Sequence, residues 1–125
     1  MPVRIVLSRA LAVAAVTLLM CLPARAHHGG ATLYDLKREV TLKATITEFV
    51  WANPHVEIGF DGVDPKGKVS HWLLENNSTP VLVNRGWTRR TLKYGDVVTI
   101  TFNPGLKSNI GKVVKIVWPD GKEMK

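Results

Sequence analysis

Four histidines carry most of the chemistry open to this chain, whose single cysteine, Cys21, lies near the N-terminus. His27 and His28 are adjacent in "ARAHHGG", His55 follows a proline in "VWANPH", and His71 sits in "SHWLLE". If the chain is cut after Ala26, His27 presents a free α-amine beside its own imidazole, groups that titrate at about 7.7–8.0 and about 6.5 when unperturbed. An amine and an imidazole on one residue can chelate a single cation. His28 is next in line, and Gly29 and Gly30 let the arm fold back. His55 is the candidate third ligand. Two or three nitrogens without a thiolate favour Cu(II) by affinity order, with other divalent ions behind it. The expected metal ligands are therefore His27, His28 and His55, and the expected cofactor is copper.

Two carboxylates belong beside these histidines. Glu57 and Glu75 fall in strand-like segments that should be hairpin neighbours, and a carboxylate next to an imidazole can ligate, orient or accept a proton. Trp51, Asn53, Glu57, Glu75 and Trp87 make up a candidate ligand groove. His71 alternates with its neighbours along a strand and is read as a surface residue without a role. A nucleophile elbow, a phosphate loop, an EF-hand loop and a paired-cysteine motif are all missing from the sequence.

The first 26 residues read as a signal peptide. Arg4 and Arg9 precede an uncharged stretch over residues 10–22, and "PARA" supplies the small residues of a cleavage site. The stretch is well short of the ~20 apolar residues that span a bilayer, so no stable membrane insertion is expected after cleavage. Cys21 would leave with the leader, and Met20 occupies the place where a lipoprotein signal needs a small residue. Removing 26 of 125 residues leaves 99, enough for one small domain. The 17 basic residues lose Arg4, Arg9 and Arg25, so 14 face 10 acidic ones. That moderate excess does not indicate a nucleic-acid partner.

The elements that must position these residues follow from periodicity. In "EVTLKATI" Val40, Leu42, Ala44 and Ile46 share one face, and the apolar phase then slips to Phe49 and Trp51, which predicts a bulge near Thr47 and Glu48. "HVEIGFDG" and "VSHWLLEN" predict two further strands joined by the turn "GVDPKGK". Pro80 and Gly86 bracket a short helix over residues 80–85, with Thr79 as its cap. "WTRRTLKYGD" predicts one more helical turn and a tight turn at Gly95. "VVTITF" and "KVVKIVW" complete five strands. Trp72 and Trp118 are expected to close the core.

Three strands, a helix and two strands, with a long bent first strand, predict an all-β fold, a five-stranded OB-fold-like Greek-key barrel. An open sandwich is the alternative. The expected divisions are a signal peptide over 1–26, a flexible arm over 27–38, the barrel over 39–119 and a tail over 120–125.

The words "HHG", "VWANPH", "HWLLE" and "NRGWTRRTLKYGDVVTI" together resemble an uncharacterised family of small exported proteins from Gram-negative bacteria. Its members begin "HHS" after the signal and carry "W-x-NPH" and "RGWTRD-x-LKPGD". Gly29 stands where the family has Ser, Arg90 where it has Asp, and Tyr94 where it has Pro. The resemblance implies a periplasmic location and a small barrel, and it brings no activity with it.

Three functions remain open. The leading one is a non-catalytic periplasmic protein that binds a small ligand or a metal ion. The others are an enzyme or accessory subunit of an exported oxidoreductase, using His55 with Glu57 or Glu75, and a structural adaptor for an exported partner protein.

Overall fold

Alternation along the first strand decides which residues enter the core. In β1 (Val40–Val50) Leu42, Ala44 and Ile46 are buried, while Thr41, Lys43 and Thr45 face outward. A computed structural model describes residues 33–125 of the chain. The pairing of β1 with β2 (Glu57–Val63) shifts register between Ile46 and Glu48, which is the bulge that the change of apolar phase requires. β2 runs into β3 (Val69–Glu75) through a turn in which Asp64 Oδ1 accepts the N–H groups of Lys66 and Lys68 at 2.8 and 2.9 Å. Gly67, at φ 81°, supplies the left-handed residue that closes this turn.

The helix α1 (Thr79–Asn84) begins one residue earlier than the sequence predicts, with proline in its first turn. Thr79 is not its cap. Ser78 occupies that position without a side-chain bond, and Asn53 Oδ1, from the β1–β2 loop, accepts the Thr79 N–H at 3.0 Å and the Thr79 hydroxyl at 2.9 Å. The loop thus satisfies a helix-end donor that a local cap ordinarily takes. Residues 87–91 form a hydrogen-bonded turn, Thr91 N–H to Thr88 C=O at 3.1 Å, and no helix.

β4 (Val97–Pro104) and β5 (Ile110–Val117) follow, then β6 (Glu123–Met124). The strands lie in the order β3-β2-β1-β4-β5-β6, and a parallel pairing of β3 with β5 closes the sheet on itself. β1 pairs with both β2 and β4, as its bend allows. The result is the closed five-stranded barrel of the OB type, and closure rules out the open sandwich. Closure is short. It spans Leu73 to Glu75 on β3 against Ile110 to Lys112 on β5.

The two ends of the barrel differ. α1 covers the end formed by the finish of β1 and β3, where its own Leu82 and the following Trp87 are buried. Among the described elements no helix lies over the opposite end, where β1 and β3 start and β4 stops.

Several expectations need correction. Trp87 does not line a groove, because it is 1% exposed and sits in the core. Trp72 and Trp118, expected to close the core, are only half-buried against it. The arm is tied down before residue 38, since Tyr34 is buried and bridges to Gly105, and the Leu106 N–H donates to Leu33 C=O at 3.0 Å. Within the C-terminal tail, β6 pairs with the end of β5. Among the described residues no helix is long and apolar enough to cross a membrane.

Candidate functional site

Odd-numbered residues of β2 and β3 point away from the core, and their register sets out a ladder of pairs. Glu57 lies opposite Glu75, Gly59 opposite Leu73, Asp61 opposite His71, and Val63 opposite Val69. Opposed like charges are unfavourable in a sheet unless something intervenes. At the Glu57–Glu75 step His55 stands beside one of the two, its Nδ1 3.5 Å from Glu75 Oε2. The imidazole is half exposed and Glu75 less so. Across the closing seam Glu75 is in register with Lys112.

Tyr34 completes this corner. With Glu57, Leu73, Leu74, Glu75 and Ile110 it lines a shallow pocket of about 90 Å³. Burial, then the Glu75 carboxylate, both as a charge and as acceptor for the phenol, and then Glu57 push the Tyr34 hydroxyl up to about 12. The unfolded chain therefore gives up this proton first, from about 10, and stability is present below that value and lost as the pH rises towards 12. In urea titrations of the metal-free protein, the fall in stability between pH 10 and 12 should be smaller for Tyr34→Phe than for the parent. Equal falls would show that the phenol is not held by these carboxylates.

The arrangement suits a cation. Two ligands each about 2.0–2.2 Å from one tetrahedral metal ion stand roughly 3.5 Å apart, which is the separation of the His55 and Glu75 donors. Two donors do not make a site, and among the described residues no group of three or more His, Cys, Asp or Glu is placed to hold a metal ion. His27 and His28 lie outside the described residues. The chain reaches the barrel at Tyr34, beside Glu75, and the six residues back to His28 can span up to about 20 Å.

The remaining candidates serve the packing around α1 and Phe49. Asn53 is committed to α1 through Thr79, and Trp51 rests partly buried with its ring 6.0 Å from Phe49. Trp87 is buried, while Glu57 and Glu75 line the pocket with Tyr34. His71 is exposed on the sheet surface, and the partner that sequence reasoning did not name is Asp61. The His71 Nδ1 lies 2.9 Å from Asp61 Oδ1, closer than His55 to Glu75. Both are solvent-exposed, and the signal available in the sequence was their symmetric placement about the turn at Asp64 to Lys68.

An OB barrel that binds nucleic acid presents cations and aromatics on the face of strands two and three. Here that face carries Glu57, Asp61 and Glu75. Residues 14–114 match the profile of a family of unknown function, DUF6152. No curated protein and no solved structure matches the chain.

Proposed function

On the premise that the chain belongs to DUF6152, we propose that it is an exported, periplasmic, non-catalytic barrel that binds Cu(II) or a similar divalent cation. The observation that carries this reading is the His55–Glu75 pair at 3.5 Å, set opposite Glu57 on the outward face of the barrel. His55 and Glu75 supply one half of the ligand set, and the α-amine and imidazole of His27 with His28 supply the other. The acidic step in the ladder then has a purpose, because a bound cation relieves the repulsion between Glu57 and Glu75. Signal-peptide cleavage after Ala26 is part of the proposal, since it creates the amine.

A copper titration at neutral pH tests it on protein that begins at His27. Adding one residue before His27 converts the amine to an amide and should weaken binding by at least about tenfold, while His55→Ala and Glu75→Gln weaken it less and His71→Ala leaves it unchanged. Affinity should also fall with pH, as protons compete for the same nitrogens. Equal affinity of the authentic and extended forms would remove the terminal chelate. Turnover of a reductant by the copper-loaded protein would favour the enzyme reading.

The exposed Val63, Val69 and Leu73 on the same face favour a second reading, an adaptor for an exported partner protein. Such a partner would co-purify from periplasmic extract in the presence of a chelator.

A further inference from the structure

We propose that the end of the barrel opposite α1 is a second binding site, separate from the cation ligands, for a small organic anion with an apolar body. The site exists because closure is partial. β3 and β5 pair only from Leu73 onward, so the earlier part of β3 and the loop before β5 stand apart and leave a pocket of about 410 Å³. That volume lies in the range of small-molecule sites, and barrel mouths are among the places where such sites form.

The lining has two layers. Inward-facing Val40, Leu42 and Trp72, with Pro104, make an apolar floor. The Trp72 ring is held in place by Phe102, with the centroids 4.8 Å apart. Above the floor stand Arg38, Lys68 and Lys107. Among the described residues none of these three forms an ion pair with a carboxylate. Asp64 is the one acid in the lining, and its Oδ1 is already occupied by the N–H groups of Lys66 and Lys68. Ser70, Ser108 and Asn109 add neutral polar groups to the rim.

An apolar floor under unpaired cations selects a molecule with matching parts. The indole and aliphatic groups take a planar or branched body, and the ammonium and guanidinium groups take its carboxylate or phosphate. The acidic His55–Glu57–Glu75 corner lies on the outward face and at the covered end, so the two sites attract ligands of opposite charge without competing.

Phenylacetate, phenylacetamide and inorganic phosphate, titrated into the mature chain at low ionic strength, test the proposal. The readout is the indole N–H resonance of Trp72, assigned with Trp72→Phe. Phenylacetate should shift it saturably, and phenylacetamide, which keeps the body and loses the charge, should bind about tenfold more weakly. Inorganic phosphate, which has charge and no body, should bind more weakly than phenylacetate. Lys68→Gln combined with Lys107→Gln should weaken phenylacetate about tenfold with the melting temperature unchanged, and Lys115→Gln combined with Lys122→Gln should not. Absence of a saturable shift, equal binding of acid and amide, phosphate binding as tightly as phenylacetate, or equal effects of the two lysine pairs would each overturn the site.

Discussion

Trp87→Ala is expected to lower the unfolding free energy by about 3–5 kcal/mol, the usual cost of deleting a buried aromatic side chain. The indole is 1% exposed under α1, its ring centroid lies 6.5 Å from that of Phe49, and its Nε1–H donates to the Lys125 carbonyl at 3.2 Å. Its own N–H donates to Leu82 C=O at 2.9 Å, so the chain after the helix is fixed and cannot easily collapse into the space left behind. Domains of this size are stable by only about 5–15 kcal/mol, so the variant should stand near the edge of folding. Urea unfolding followed by circular dichroism measures the loss. Half-buried Trp118, whose ring meets the Lys122 ammonium at 5.7 Å, should cost much less when truncated. Equal losses at the two positions would mean that Trp87 is not the plug of the covered end.

Gly111→Val should cost about 3 kcal/mol or more, by overpacking instead of by a cavity. A Cβ at this position would lie 2.7 Å from Leu74 Cδ2, 2.7 Å from Phe102 Cδ2 and 2.9 Å from the Asn103 carbonyl oxygen. The side chains can turn aside, but the carbonyl belongs to β4 and is fixed by the β4–β5 ladder. Gly111 also pairs with Leu74 across the closing seam, so relief comes most easily by parting β3 from β5. Hydrogen exchange should therefore quicken first at Leu73, whose N–H is held by Asn109 C=O at 3.1 Å. A valine variant as stable as the parent, with that amide still protected, would contradict this account.

Period-two alternation was enough to find β1, its bulge and the strands that follow, because one face of each strand must be buried and each residue advances the pattern by one step. The seam was not legible in that way. A parallel pairing of residues 73–75 with 110–112 leaves no local mark, and what betrays it afterwards is Gly111, the residue small enough to stand between two strands. The role of Asn53 was hidden for a similar reason, since its partner Thr79 is remote in sequence and looked like a cap itself. For the tryptophans, composition says that indoles will be buried and cannot say which, and position relative to α1 decides it. His55 beside Glu75 followed from the hairpin, whereas Tyr34 beside Glu75 depends on the path of the arm.

The partial closure of the barrel also bears on how the protein behaves in concentrated solution. A strand with an unpaired side exposes N–H and C=O groups that can template pairing with another chain, and such edges are where aggregation starts. Among the described strands β1, β2 and β4 each have neighbours on both sides, so the exposed edge falls on β6, on residues 69–72 of β3 and on residues 113–115 of β5, between the stretches that β3 and β6 cover. The β3 stretch is short, begins with the 60%-exposed Val69, and is bracketed by Lys68 and the polar pair of His71 with Asp61. Charge and brevity together discourage strand addition there, and the gap that admits a ligand stays closed to a neighbouring chain.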